Sequence, residues 1–90
     1  MAKVLVSIKI FPSDVTTDLN QLKKKIEKEL PKYASVYKFA EEPIAFGLIA
    51  LIAHIIIPEE KPGGLDEVET QLQKIDEISQ IETLMVRRIS

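Results

Sequence analysis

The order of apolar and polar residues along the chain predicts six elements. Residues 3–11, KVLVSIKIF, set Val4, Val6, Ile8 and Ile10 against Leu5, Ser7 and Lys9. That period of two marks a strand with one apolar face, ended by Pro12 and Ser13-Asp14. In residues 17–30, Leu19, Leu22, Ile26 and Leu30 recur at helical spacing, with Lys and Glu on the other face. Thr17 or Asp18 is the expected N-cap, and Pro31 stops the helix. Residues 33–41, YASVYKFAE, favour a second strand with imperfect alternation, and Glu41-Glu42-Pro43 is expected to break it. Residues 48–57, LIALIAHIII, are apolar on both faces. They predict a central strand that is either covered on both sides or meets a partner with its second face. The β-branched triplet Ile55-Ile56-Ile57 argues against helix. PEEKPGG, residues 58–64, is a loop. Leu65, Val68, Leu72 and Ile75 predict a helix over 65–75, with Asp66, Glu67 and Glu69 in its first turns, where the helix dipole favours negative charge. Residues 78–89 form a last strand, whose apolar Ile81, Leu84 and Val86 cannot share one strict alternation, which allows either a bulge or a twist.

The order strand, helix, strand, strand, helix, strand is that of the split βαβ arrangement. It predicts an α+β, ferredoxin-like βαββαβ sandwich: a four-stranded antiparallel sheet with both helices on one face and the other face open. Ninety residues suffice for one domain, 1–90, and not for two.

Charge and composition narrow the function classes. With 12 basic and 14 acidic side chains the net charge is −2, which gives no support to bulk electrostatic binding of nucleic acid. The absence of cysteine excludes disulfides and thiolate metal sites and fits a cytoplasmic protein. The amino terminus is not patterned as a signal peptide. The longest apolar stretch, Ile44 to Pro58, is too short to cross a bilayer, so a soluble protein is expected.

Little in the chain points to covalent chemistry. The single histidine, His54, sits in an apolar strand with no nucleophile or carboxylate beside it in sequence, which favours a structural role. One histidine and no cysteine make a poor metal site. Pro62-Gly63-Gly64 precedes a helix, but Asp66, Glu67 and Glu69 would repel phosphate there. Lys23, Lys24, Lys25 and Lys28 are interleaved with Glu27 and Glu29 and read as a solvated helix face.

Two features stand apart. The segment Glu41 to Leu48, EEPIAFGL, carries Phe46 at the expected loop tip, followed by Gly47. Phe46 either folds back onto the core or serves as a binding anchor. Arg87 and Arg88 close the last strand, and a two-residue period puts one on each face. They serve either as a solvated strand end or as binding groups.

The segment Glu41 to Leu51, EEPIAFGLIAL, resembles the signature of the archaeal elongation factor one-beta family. It is also similar to the catalytic domain of the eukaryotic form, where a Pro-Ile-Gly-aromatic-Gly pattern leads into an apolar strand. VRRI, Val86 to Ile89, is similar to archaeal members as well. The resemblance implies a domain that binds the translation GTPase elongation factor one-alpha, in its GDP-bound or nucleotide-free state, and promotes GDP release. It implies partner contacts at Pro43, Ile44, Phe46, Gly47, Arg87 and Arg88. The aromatic at Phe46 would insert near a switch region. Arg88 stands where eukaryotic forms carry a lysine that reaches the magnesium and phosphate site. Arginine is larger and forked, so switch carboxylates or phosphate are alternative targets. Ser90 extends the chain by one residue past Ile89. No cofactor, resident metal or covalent step is implied, and neither nucleic acid nor membrane is a direct partner.

Three other functions fit the fold less well. A small-molecule sensor would want a Gly/Asp-rich loop where Phe11-Pro12-Ser13-Asp14 stands. An acylphosphatase would want an arginine in a phosphate-cradling loop near the amino terminus, yet no arginine precedes Arg87. RNA binding on the open sheet would want aromatics within 3–10 and 48–57, which have none.

Overall fold

The alternation in the first strand decides which side of the sheet is buried, and the remaining elements assemble against that side. The computed structural model describes residues 2–89. Ser90 lies outside them. The elements are β1 (Lys3–Pro12), α1 (Leu19–Glu29), β2 (Ser35–Pro43), β3 (Ile49–Pro58), α2 (Gly64–Gln73) and β4 (Ile78–Ile89). The four strands form one antiparallel sheet in the order β2-β3-β1-β4. This is the expected ferredoxin-like arrangement.

Val6, Ile8 and Ile10 of β1 and Leu51, Ala53, Ile55 and Ile57 of β3 are buried in the core beneath Leu22 and Ile26 of α1 and Val68 and Leu72 of α2. Burial of this apolar surface, at roughly 25 cal/mol per Å², is the main stabilising term. α1 starts at Asp18, whose carboxylate accepts from the Asn20 and Gln21 amides, and ends at Leu30 in extended backbone before Pro31. α2 has no side-chain cap: Gly63 fills the cap position in left-handed backbone, with φ 68°. Gly64 follows because a β-carbon there would lie 3.0 Å from the Ile57 side chain.

The structure differs from the sequence expectations at three places. Glu41-Glu42-Pro43 does not break β2, which runs to Pro43. β2 is an edge strand, where the missing proline N–H costs no ladder bond. Glu42 is drawn to Lys9 of β1, across the intervening β3, and Glu41 to Lys23 of α1. The imperfect alternation of β2 has a local cause, a register shift between Val36 and Lys38. Tyr33 precedes the strand and donates to Glu67 of α2. The second helix ends at Gln73, and Ile75 reaches the core from the turn that follows.

β3 lies between β2 and β1, and only its helix-facing side is fully covered. Ile52, His54 and Ile56 on the other side stay partly exposed. The irregularity expected in β4 is a bulge at Leu84: Thr83 pairs with Ile8 and Met85 with Ser7, leaving Leu84 unpaired between them. The extra residue lets Ile81 and Val86 lie on the same side, opposite Ile10 and Val6.

Candidate partner-binding surfaces

The β2–β3 hairpin closes through a turn in which the Leu48 amide donates to the Ala45 carbonyl and the Ile44 amide to the Leu48 carbonyl. Its two central residues, Phe46 and Gly47, have φ of 58° and 78°. Two consecutive positive values mark the type I′ class, which matches the twist of a hairpin and ordinarily selects Asn-Gly. Gly47 meets the requirement without strain. Phe46 does not: left-handed backbone costs a bulky residue on the order of 1–3 kcal/mol. Its side chain recovers nothing locally, being 98% exposed. Phe46 therefore does not fold back onto the core. Pro43 is exposed at the end of β2, and Ile44 is half-buried.

A second loop stands at the same end of the sheet. The Asp14 carboxylate accepts from the backbone amide (2.9 Å) and hydroxyl (3.1 Å) of Thr16. These bonds hold the carboxyl below its ordinary pKa of 3.8. The Thr17 amide donates to the Asp14 carbonyl and the Ser13 amide to the Glu77 carbonyl. Val15, within this loop, is 58% exposed. It lines a shallow depression with Pro12, Leu19, Gly47, Leu48 and Ile49. A lone valine in a polar stretch gives no sequence signal, and only the packing of the two loops reveals it.

The arginines lie at the other end. Arg87 pairs with Leu5 on the open face and lines a depression of about 280 Å³ with Leu5, Tyr37, Ile56 and Ile89. Arg88 pairs with Val4 on the helix face, and its Nε donates to Glu59 at 2.7 Å. The two-residue period thus divides the pair between the faces, as expected. Phe46 precedes β3, whereas Glu59, the partner of Arg88, follows it. The nine residue steps of β3, at about 3.3 Å each, separate those ends by roughly 30 Å. The six residues singled out in sequence therefore form two groups, not one site.

His54 has a neighbour that the sequence did not suggest. The β1–β3 register sets Ser7 opposite it, with Oγ 2.8 Å from Nδ1. Ser7 is 3% exposed, so its hydroxyl cannot meet a substrate, and the pair satisfies two polar groups under the open face. Burial, with a smaller contribution from the charge of Lys38, lowers the His54 pKa. The lysines of α1 are engaged in ion pairs where they approach acids: Lys23 with Glu41 and Lys25 with Glu77. Among the described residues no group of three or more His, Asp or Glu is arranged to hold a metal ion, and no helix is long and apolar enough to cross a membrane.

Comparison with known proteins adds an independent line. The family described as the EF-1 guanine nucleotide exchange domain matches residues 5–89. The chain is 44% identical to a protein named Elongation factor 1-beta from Staphylothermus marinus, with all of both chains covered. It is 43% identical to the one from Thermofilum pendens, over 100% of this chain and 99% of the relative. It is 38% identical to that of Methanothermobacter thermautotrophicus, over 99% of each. Among solved structures, the C-terminal domain of the MgtC protein from Mycobacterium tuberculosis superposes with a TM-score of 0.56, covering 93% of this chain and 86% of that one. At 12% identity that likeness concerns the fold alone.

Proposed function

The chain belongs to the EF-1 guanine nucleotide exchange domain family, a family of translation elongation exchange factors, and from this membership we propose that it promotes exchange of GDP for GTP on elongation factor 1-alpha. The exchange regenerates the carrier of aminoacyl-tRNA. It takes place in the cytoplasm and starts from the GDP-bound partner.

The mechanism is one of linkage and needs no bond to be made or broken. A GTPase holds GDP through phosphate contacts and Mg²⁺. A protein that binds the nucleotide-free form more tightly than the GDP form must weaken GDP binding by the same factor. Phe46 supplies the apolar contact, because its ring is fully presented and its backbone is held in a strained turn that ordinary packing does not reward. Arg88 supplies the polar contact. Glu59 takes its Nε–H, and the terminal nitrogens remain to meet carboxylates or phosphate at the nucleotide site. With the two groups at opposite ends of the sheet, they engage two separate places on the GTPase. Phe46 acts away from the metal, and Arg88 acts near it.

The observation that carries this reading is Phe46, 98% exposed at positive φ within a matched family sequence. The test is stopped-flow release of a fluorescent GDP analogue from elongation factor 1-alpha at fixed Mg²⁺, with EDTA-triggered release as the control for a competent GTPase. Concentration-dependent acceleration is expected, reduced about 30-fold in Phe46→Ala if the ring contributes the ~2 kcal/mol of an interface hot spot. Absence of acceleration by the wild-type chain would refute the assignment.

A further inference from the structure

We propose that Val15 is a second apolar contact residue for the GTPase, and that the β1–α1 loop and the hairpin tip together form one composite binding surface. The inference rests on the exchange reading above and extends it to a loop outside the signature segment.

Three observations support it. Val15 is 58% exposed and Phe46 98% exposed, and both project from loops at the same end of the sheet. The two loops share a shallow depression, with Val15, Pro12 and Leu19 beside Asp14 and Thr17 on one side and Gly47, Leu48 and Ile49 on the other. The surface is nearly uncharged: residues 43–49 carry no ionisable side chain, and residues 11–17 carry only Asp14, whose carboxylate is turned onto Thr16.

Asp14 gathers the Thr16 amide and hydroxyl, and the flanking amides of Ser13 and Thr17 are tied to Glu77 and Asp14. The segment is thus ordered before binding, so Val15 is presented without an entropic cost at the moment of association. A preordered surface with Asp14 as its one charged residue, beside an exposed aromatic, fits an apolar patch of the GTPase. In that arrangement the partner's apolar surface lies across Val15 and the Phe46 ring.

The test measures GDP release and affinity for the nucleotide-free GTPase with Val15→Asp, Val15→Ala and Val15→Thr in the full chain, alongside Phe46→Ala. Thermal melts establish that each variant is folded. Because Val15 is mainly exposed, all three should melt within a few degrees of wild type. Val15→Asp should lose at least tenfold in affinity, and Val15→Ala and Val15→Thr about threefold. Combining Val15→Ala with Phe46→Ala should cost less than the product of the single losses, since both meet one patch. Wild-type behaviour of Val15→Asp while Phe46→Ala is impaired overturns the Val15 proposal and leaves the exchange reading standing. Failure of the wild-type chain to release GDP overturns both.

Discussion

Replacing Phe46 separates the demands of folding from those of binding. The residue holds φ 58° with its side chain 98% exposed, so the fold bears backbone strain and gains almost no burial in return. Left-handed backbone costs an ordinary L-residue roughly 1–2 kcal/mol, and asparagine tolerates it far better. Phe46→Asn should therefore raise stability by about 1 kcal/mol. For a domain of 90 residues that corresponds to an increase in Tm of about 4–8 °C. Phe46→Gly relieves the same strain but gives the unfolded chain more freedom, a loss of about 0.4–1 kcal/mol, so it should fall between Asn and wild type. Phe46→Ala keeps a β-carbon in the left-handed region and should be close to wild type. The assay is urea denaturation with thermal melts on the four proteins, at constant m-value so that midpoints report stability. All three variants should lose exchange activity together, whatever their stability. A drop of 1 kcal/mol or more in Phe46→Ala would mean that the ring packs against the protein. Equal stabilisation by Ala and Asn would mean that the aromatic, not the backbone, carries the cost. Either result refutes the reasoning.

Three further outcomes are expected. Arg88→Ala should slow exchange about tenfold yet change unfolding free energy by less than ~0.5 kcal/mol, because its ion pair with Glu59 is exposed. Gly64→Ala should destabilise by about 1–3 kcal/mol, since the new methyl would lie 3.0 Å from the buried Ile57 side chain; a urea midpoint at the wild-type value would contradict this. His54 titrates below its ordinary 6.5 in the fold, so the unfolded chain takes up the proton first; stability present above pH 6.5 declines as pH falls beneath it, and His54→Gln should flatten that part of a stability-against-pH curve.

The elements most legible in the sequence were those whose neighbours merely continue their own pattern. In β1, Val4, Val6, Ile8 and Ile10 announce both the strand and its buried side, and the helix spacing in α1 does the same for Leu22 and Ile26. An irregularity in β4 was also readable, because Ile81, Leu84 and Val86 cannot share one alternation, but its place at Leu84 follows only from the register with β1. Glu41-Glu42-Pro43 misled because a proline breaks a strand only where its amide is needed, and edge position is a property of the sheet. The Ser7–His54 hydrogen bond depends on register between strands 47 residues apart, which no local pattern encodes. Phe46 stood out as an anomaly, but its outward direction follows from the φ values of the turn. The split of Arg87 and Arg88 between faces follows from the two-residue period. Their distance from Phe46 follows only from β3 and β4 running in the same direction, each antiparallel to the β1 between them.

That distance has a consequence for partner choice. The two ends are joined by an antiparallel sheet backed on one face by two helices, in a molecule 42 Å along its longest dimension, and the hydrogen-bonded strands fix their spacing. On the proposed exchange reading, a body with a hold at each end acts as a caliper. Once one end has engaged, the other finds its target at high effective concentration only if the spacing matches, and gains nothing if it does not. A GTPase whose domains shift by several ångströms between nucleotide states would therefore be gripped at both ends in some of those shapes and at one end in the rest.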